Sequence, residues 1–423
     1  MKRLSIILFL LSCFLQYSVG QNDIIEVDYR VNLENNAIHR YMEEVVYQPG
    51  DSSVAHLYTD SYKYRLDWPN PVNMELPPCN SDSLLIVCCD NETLGDSITF
   101  KVATTGSVAK LYNLIPQRHY QYQVFEGEKV LQQGNIYTEG QLRMINVPGT
   151  VRNVRDLGGW KTSDNQRIKY GKIFRGSALN GGSYVATEEG IELLKELGVG
   201  AEIDMRAYYN PDNNVSAFGF LDASSISSGD VASYYYTSDS GQLPEHINVY
   251  SWQYRWRRSL MFIVNNFLEG RSVYEHCVLG RDRTGYLSFL LEGLLGVPYN
   301  ELVKDYELSF LVLNSASKKD SIDKVFNYIN QLDGLTLRDK FNTFFRNIGV
   351  GQQSIDYFRS EMLEAVKPDD DITTVIDATK KSDGISFDDD ILYDLNGHQI
   401  KSPSRGHIYL LRDKSGTIRK VVK

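Results

Sequence analysis

Short hydrophobic runs of β-forming residues, separated by polar turn residues, dominate the first third of the chain. Runs rich in β-branched and aromatic residues are separated there by turn residues at intervals of roughly ten. The runs are Ala55–Tyr58, Leu84–Val87, Ile98–Val102 and Tyr120–Val124. This spacing is typical of an antiparallel sheet pair, and it predicts an all-β sandwich over residues 21–142.

The pattern changes after Gly140, where predicted strands alternate with predicted helices as in an α/β protein. Thr187, followed by two glutamates and apolar residues at helical spacing, predicts a capped helix that ends at Gly198. We therefore expect residues 143–366 to form a parallel-type sheet flanked by helices.

Five further segments of this region have distinct patterns. Two short β-type runs predict strands, a polar stretch without periodicity predicts a long irregular insertion, and apolar residues at helical spacing predict two helices. In chain order they are the strand Ala201–Arg206, the insertion 207–250, the helix Ser259–Leu268, the strand Ser272–Glu275 and the helix Gly285–Leu295.

The last part of the chain, residues 367–423, combines an acidic linker with short apolar runs. The runs between Ile391 and Lys423 predict a small β module. This segment resembles the terminal modules of exported bacterial proteins, some of which serve surface attachment. A purely structural tail is the alternative.

The overall composition is that of a globular protein. The chain has 423 residues, of which 42% are hydrophobic and 23% charged. That length predicts two or three domains. The formal net charge of −10 argues against a nucleic-acid partner, because phosphates would be repelled.

The beginning of the chain has the three parts of a secretory signal. Met1, Lys2 and Arg3 are followed by an apolar run and by small residues up to Gly20, so residues 1–20 predict an exported protein, periplasmic, extracellular or at the cell surface. A lipoprotein attached through Cys13 is the rival interpretation. No later segment is long and apolar enough to predict a membrane-spanning helix.

Removal of the signal leaves four cysteines, too few for a disulfide scaffold. Cys79 could bridge to Cys88 or Cys89, or all three could be free thiols, whereas Cys277 stands apart. The histidines are scattered without metal-ligand spacing, so neither a metal nor another cofactor is expected.

The segment with the strongest chemical signal is His276–Gly285, with the sequence HCVLGRDRTG. A cysteine with an arginine six positions later is a weak signal by itself. The signal is strengthened by Gly280 in mid-loop, by Thr284 at the close, and by a predicted strand before and an apolar helix after.

Such a loop is suited to hold a phosphate ester. Backbone N–H groups at the start of a helix attract an anion, and the same field favours the thiolate of Cys277 as the nucleophile. The guanidinium of Arg283 could bind two phosphate oxygens at once. Gly280 lets the backbone turn closely around the anion, and the Thr284 hydroxyl lies within reach of the sulfur.

The loop resembles the His-Cys-x-x-Gly-Lys-Asp-Arg-Thr-Gly signature of the bacterial tyrosine phosphatase family, which includes lipid-active members. Further segments of about residues 145–365 agree in order with that family. They are Arg152–Gly159, Phe174–Ser177, Asp204–Arg206 and Asp305–Ser309. The resemblance implies a catalytic role for Cys277 and Arg283, and substrate contacts from His276, Val278, Leu279, Gly280, Arg281, Thr284 and Gly285.

The general acid has two candidates. The resemblance implies Asp282 as the first, and Asp204, at the carboxyl end of a predicted strand, is the second. Arg281 replaces the usual lysine of the signature, so lipid substrates are neither favoured nor excluded by that position.

Three residues outside the catalytic pair also have alternative roles. Arg175 either braces the loop or contacts the phosphate. His276 is expected to orient the loop, and Arg155 to form a structural ion pair with its neighbour Asp156.

A second resemblance concerns the N-terminal region. The segment from Leu111 to Val124 is similar to the end of a fibronectin type III domain, in which a tyrosine corner precedes a strand. Tyr120 would be the corner residue.

The sequence thus predicts an exported cysteine-dependent phosphatase that acts on a phosphorylated protein, peptide or small molecule. Phosphotyrosine is the favoured substrate, with phosphoinositide or inositol phosphate as the alternative. A phospho-ligand-binding module without turnover is the rival from another class, and sulfur transfer through Cys277 is a third hypothesis.

Overall fold

The structure is a computed structural model. It describes residues 24–59, 65–91, 97–206, 215–221, 234–236, 247–248, 250–366, 391–393, 399–400, 408–412 and 418–422. The chain divides into two compact units, Met1–Val366 and Lys367–Lys423. The predicted signal and most of the predicted insertion at 207–250 lie outside the described residues.

The N-terminal part of the first unit is built on β-sheets. Its strands are β1 (Ile25–Glu26), β2 (Tyr29–Asn32), β3 (Val72–Glu75), β4 (Ser83–Asp90), β5 (Ser97–Ala103), β6 (Val108–Leu111), β7 (His119–Glu126) and β8 (Lys129–Glu139). Strands β1, β8, β7, β4 and β5 lie side by side in that order, and β2 also pairs with β8. Strands β3 and β6 form a separate antiparallel pair.

These two sheets share one hydrophobic core. Alternate residues of β3 and β6 are buried, as expected for strands with one face in a core. Met74 of β3, Leu111 of β6 and Ile86 of β4 meet there. The Tyr120 hydroxyl accepts a hydrogen bond from the backbone N–H of Ile115 at 2.9 Å, the contact expected of a tyrosine corner. The sandwich and its fibronectin type III topology stay predictions.

One predicted strand of this region is wrong, because residues Ala55–Tyr58 form a 3₁₀ helix. A true helix, α1 (Asn36–Glu44), precedes it, and the Asn35 side chain caps that helix by accepting from the N–H of Ile38 at 3.0 Å. The short apolar run at 55–58 satisfied a strand pattern but has no strand partner. It packs instead, with α1, into the core formed by residues 142–363.

The central α/β region contains β9 (Arg155–Asp156), β10 (Gln166–Ile168), β11 (Ile173–Gly176), β12 (Val199–Asp204), β13 (Tyr234–Tyr236), β14 (Ser272–His276) and β15 (Leu363–Ala365). The main sheet has the order β13, β12, β14, β11, β9, with β9 alone antiparallel to its neighbour. Strands β11 and β14 are almost completely buried, as expected of parallel strands covered on both faces. The predicted α/β class is therefore confirmed for this region.

The remaining helices surround this sheet. They are α2 (Glu188–Glu196), α3 (Tyr250–Leu268), α4 (Arg283–Leu295), α5 (Tyr299–Leu313), α6 (Lys319–Asn330), α7 (Leu337–Asn347) and α8 (Gln352–Met362). Thr187 caps α2 as predicted, and Gly198 follows with a positive φ of 98°. Helix α3 begins nine residues before its predicted start. In α4 every residue from Thr284 to Leu295 is buried, so this helix lies in the interior with no solvent-exposed face.

The second unit contains a four-stranded antiparallel sheet in its described residues. Its strands are β16 (Ile391–Tyr393), β17 (Gln399–Ile400), β18 (Ile408–Arg412) and β19 (Ile418–Val422), in the order β17, β16, β18, β19. Surface attachment through this unit stays a prediction. Within the described residues, no helix has both the length and the apolar character needed to cross a bilayer.

The cysteines of the described residues carry free thiols. Neither Cys88 nor Cys89 is joined to Cys79, so of the two alternatives for this cluster the structure contains the free thiols.

Candidate active site

The predicted loop lies at the centre of the carboxyl edge of the main sheet. Strand β14 has parallel neighbours on both sides and ends at His276, and helix α4 begins at Arg283. Residues 277–282 connect the two, with Cys277 first after the strand. In open α/β sheets this edge is where ligands bind.

The carbonyl oxygens of the loop are bonded to groups outside it. The Val278 oxygen accepts from the backbone N–H of Ala178 at 3.0 Å. The side-chain amide of Asn153 donates to the Gly280 oxygen at 3.0 Å and to that of Leu279 at 3.3 Å. These contacts fix three successive peptide planes of the loop.

The orientation of those planes determines where the N–H groups point. In a trans peptide the N–H lies opposite the C=O, so the N–H groups of Leu279, Gly280 and Arg281 point away from the groups that hold the carbonyls. Among the hydrogen bonds of the described residues, these three N–H groups have no partner within the protein. Together with the start of α4, they form a cradle for an anion.

Gly280 is required by this loop geometry. Its φ is +65°, and a Cβ atom on it would lie 2.2 Å from the carbonyl oxygen of Gly176 in β11. The loop therefore passes close to the neighbouring strand at a point where only glycine fits.

The surroundings of Cys277 favour its thiolate. Burial raises the pKa of this thiol, which is 3% exposed, and the charge of Asp282 acts in the same direction. The hydroxyl and backbone N–H of Thr284 and the positive charge of Arg283 act in the opposite direction. These contacts outweigh burial, so the pKa of Cys277 is lower than that of an ordinary thiol.

The remaining residues of the motif lie on the first turn of α4. Arg283 is its first residue, and Thr284 and Gly285 are buried behind it. Gly285 packs against the ring of Tyr306, where a Cβ would come within 2.8 Å. Val278, by contrast, exposes 45% of its surface at the mouth of the loop.

His276 faces away from the cradle. Its Nε2 lies 2.8 Å from a carboxylate oxygen of Glu202, and its Nδ1 lies 3.1 Å from the Cys277 carbonyl oxygen. Both neighbours are acceptors, so both ring nitrogens donate. Burial lowers the pKa of His276, but Asp204 and Glu202 outweigh it and raise the pKa, which agrees with a charged imidazolium.

The two candidate general acids lie in different environments. Asp204 is fully buried, and both of its oxygens accept from the Arg206 guanidinium at 2.6–3.0 Å. Burial raises the pKa of Asp204, but His276 and Arg206 outweigh it, so the net pKa is lowered and the carboxylate stays charged.

Asp282 is part of the loop and its side chain is 27% exposed. Its carboxylate pairs with Arg281 at 3.0 Å and with Lys318 at 3.0 Å. The Arg281 guanidinium also lies over the ring of Phe310, 5.1 Å from the ring centre. Asp282 is therefore the candidate acid that borders the cradle.

A buried ionic network supports the loop from below. Arg175 donates to the Gly280 carbonyl oxygen at 3.0 Å and pairs with Asp305. Arg155 donates to the same Asp305 at 2.9 Å and to Ser309 at 3.2 Å. These are the contacts of a brace for the loop, and a direct phosphate contact by Arg175 stays a prediction.

The expected ion pair between Arg155 and Asp156 is wrong. Adjacent residues of a strand point to opposite faces of the sheet, so the two side chains diverge. Asp156 accepts from Arg143 at 3.2 Å on one face, and Arg155 meets Asp305 on the other.

Sequence reasoning missed Asn153 and Glu202. Asn153 has a positive φ of 59°, which asparagine tolerates better than most residues, and this backbone turn brings its amide under the loop. Its position within a recognised motif was visible, but its contact with residues 279 and 280 depends on the tertiary fold. In the described part of the chain, no three His, Cys, Asp or Glu side chains are arranged to hold a metal ion.

A cysteine at the end of a central parallel strand, facing an anion cradle at a helix start, defines a class of proteins built to bind phosphate esters. The family model of the tyrosine phosphatase family matches residues 145–364, just over half of the chain. The chain belongs to this family.

Two similar proteins add detail. A Cupriavidus necator protein named as a tyrosine-protein phosphatase is 26% identical over 167 residues, which cover 37% of this chain and 60% of that protein. The match thus spans less than two thirds of the relative. The crystal structure of TpbA from P. aeruginosa covers 43% of this chain and 96% of its own, with 13% identity and a TM-score of 0.27, a score too low to establish a common fold.

Proposed function

We propose that this protein is a cysteine-dependent phosphatase that hydrolyses phosphate monoesters through a thiophosphate on Cys277. The observation that carries the proposal is the pairing of a thiol of lowered pKa with a loop in which the carbonyls of Val278, Leu279 and Gly280 are bonded to groups outside it. A phosphate in that cradle would meet N–H donors from the loop and the sulfur beneath it.

The reaction has two steps. The Cys277 sulfur forms a bond to phosphorus as the bond to the ester oxygen breaks, and the leaving oxygen takes a proton. Water then attacks the thiophosphate, the S–P bond breaks, and inorganic phosphate leaves. Arg283 and the loop N–H groups stabilise the charge on the equatorial oxygens in both transition states. The hydroxyl of Thr284 stabilises the thiolate as it leaves in the second step.

We favour Asp282 over Asp204 as the proton donor of the first step. Arg206 occupies both oxygens of Asp204, which is also fully buried, whereas Asp282 borders the cradle.

An aryl ester such as phosphotyrosine is the substrate class we propose. Membership of the tyrosine phosphatase family supports it, and so does the exposed apolar side chain of Val278 beside the loop, which could contact an aromatic ring. The relative from C. necator is itself named as a tyrosine-protein phosphatase.

The test measures phosphate release from p-nitrophenyl phosphate in excess chelator. We expect turnover by the wild type, loss by about 10⁴-fold or more for Cys277→Ser because serine is a far weaker nucleophile here, and wild-type rates for Cys79→Ser. Cys79 is the matched control, since it is a free thiol outside the loop.

Two results would contradict the proposal. Equal activity of Cys277→Ser and the wild type would exclude the thiolate mechanism. Absence of turnover in a wild type that still binds tungstate would favour a phospho-ligand-binding module instead.

A further inference from the structure

A buried carboxylate from the N-terminal region lies next to the phosphate loop. Asp67 is 1% exposed and lies outside the segment that matches the family, which begins at residue 145. One of its oxygens accepts from the backbone N–H of Asn153 at 2.8 Å and from Arg152 at 3.0 Å. Arg65 binds both of its oxygens, at 2.9 and 3.0 Å.

The charge of Asp67 is maintained by these contacts. Burial raises the pKa of Asp67, but the guanidinium groups of Arg65 and Arg152 and the N–H of Asn153 outweigh it, so the net pKa is lowered. Asp67 is therefore a charged carboxylate, and both of its oxygens accept hydrogen bonds from neighbouring donors.

Asn153 connects Asp67 to the loop. Its backbone has a positive φ of 59°, a conformation that needs support in a residue other than glycine. Its N–H is held by Asp67, and its side-chain amide holds the carbonyls of Leu279 and Gly280. Its side-chain oxygen accepts from Arg155 at 2.6 Å. A single residue thus separates Asp67 from the peptide planes that form the cradle.

We propose that Asp67 is a positioning residue for the phosphate loop, acting through Asn153 to keep the carbonyls of residues 279 and 280 turned away from the anion. This inference rests on the proposed function of the loop. It gives the N-terminal region a role in the site, although this region lies outside the family match at residues 145–364.

The physical reason is the geometry around Asn153. Without the carboxylate, the N–H of Asn153 and the guanidinium of Arg152 lose the charged acceptor that they share, and Asn153 is completely buried. Asn153 is then free to leave its left-handed conformation, and its amide no longer fixes the two loop carbonyls. Carbonyl oxygens that turn toward the cradle repel an anion.

The test compares Asp67→Asn with the wild type in the full chain, using tungstate as the phosphate analogue and calorimetry for its Kd. We expect the Kd to rise by about ten-fold or more, since the amide lacks the charge that strengthens the hydrogen bonds from Arg65, Arg152 and the N–H of Asn153. We expect kcat/KM for p-nitrophenyl phosphate to fall by a similar factor.

The matched control is Asp90→Asn. Asp90 is also a buried carboxylate of the N-terminal region and lies 3.5 Å from Arg118. Both substitutions should lower the thermal midpoint, but only Asp67→Asn should weaken tungstate binding. An unchanged tungstate Kd in a folded Asp67→Asn protein would overturn the inference.

A second variant covers the case in which Asp67→Asn does not fold. Arg65 is half-buried. Arg65→Gln removes the guanidinium that binds both oxygens of Asp67 and keeps the Asp67 carboxylate itself. We expect a rise in the tungstate Kd of roughly three-fold, and no rise would overturn the inference. A wild type that binds tungstate without turnover would refute the proposed function alone, because the binding comparison would still decide the role of Asp67.

Discussion

At the scale of single residues, the chemistry of Cys277 depends on a few polar contacts that counteract burial. The contrast within the chain is Cys88, whose pKa burial raises to about 12. Both thiols are buried, but only at Cys277 do neighbouring groups, Thr284 and the charge of Arg283, bring the pKa below that of an ordinary thiol. The polar groups around each thiol, and not its degree of burial, therefore decide whether it is a nucleophile or an inert thiol.

Replacement of Thr284 by valine tests this contrast. The substitution removes the hydroxyl and keeps the backbone N–H and the branched shape, so the pKa of Cys277 should rise. A thiolate is present only above its pKa, and the alkylation of Cys277 by iodoacetamide should therefore need a higher pH. At neutral pH we expect the rate to fall by about ten-fold, the equivalent of one hydrogen bond to a charged group.

The measurement is the rate of alkylation against pH, with mass spectrometry to assign the modified cysteine. Cys88 is the internal control and should stay unmodified across the neutral range. A pH profile of Thr284→Val that overlays the wild type would show that the hydroxyl does not stabilise the thiolate.

The sequence predicts that Arg283 and Thr284 lie near Cys277, because the motif places all three within one loop and one helical turn. It does not predict Asn153 or Asp67, which are 127 and 213 positions away from Gly280 along the chain (280 − 153 and 280 − 67). Their contacts pass through backbone groups, which any residue type possesses, so no residue pattern marks them.

At the scale of elements, the strand, loop and helix of the site follow from local sequence. Ser272–Glu275 was expected to form a strand and α4 is buried along its length, so both boundaries of the loop were predictable. The run at 55–58 shows the limit of the same reasoning. Four apolar or aromatic residues fit a strand and a helical turn equally well, and tertiary packing decides between them.

Gly280→Ala tests whether the close approach of loop and strand matters. A Cβ would lie 2.2 Å from the Gly176 carbonyl oxygen, and backbone on both sides cannot move without shifting the loop. Since a displacement of about 1 Å in a catalytic loop costs on the order of 100-fold, kcat/KM should fall by at least that factor.

Gly182→Ala is the matched control for this substitution. Gly182 also has a positive φ, 64°, but a Cβ on it meets no atom within 4 Å. The Gly182→Ala variant therefore has the backbone strain of a positive φ without a steric clash, and its kcat/KM should stay within about two-fold of the wild type. Equal losses in the two variants would attribute the effect to strain and not to the loop contact.

At the scale of the whole molecule, the N-terminal region and the α/β region are not separate in their packing. The Tyr41 hydroxyl of α1 donates to the Lys304 carbonyl at 3.3 Å, and the Lys304 ammonium donates to the Met42 carbonyl at 2.7 Å. Apolar residues from this segment belong to the core of the α/β region. They are Ile38, Tyr41, Met42, Val45, Tyr47 and Ala55.

This packing predicts that the segment 143–366 does not fold alone, although the sequence pattern marks it as a domain. A large apolar side chain contributes about 1.5–3 kcal/mol on burial, so the loss of several such side chains is comparable to the roughly 5–15 kcal/mol that stabilise a typical protein. Residues 21–366 retain α1 and end with the first compact unit, so they should fold and keep tungstate binding. Circular dichroism with thermal melting compares the two segments, and a cooperative transition of 143–366 at the wild-type midpoint would show that this segment folds without the N-terminal region.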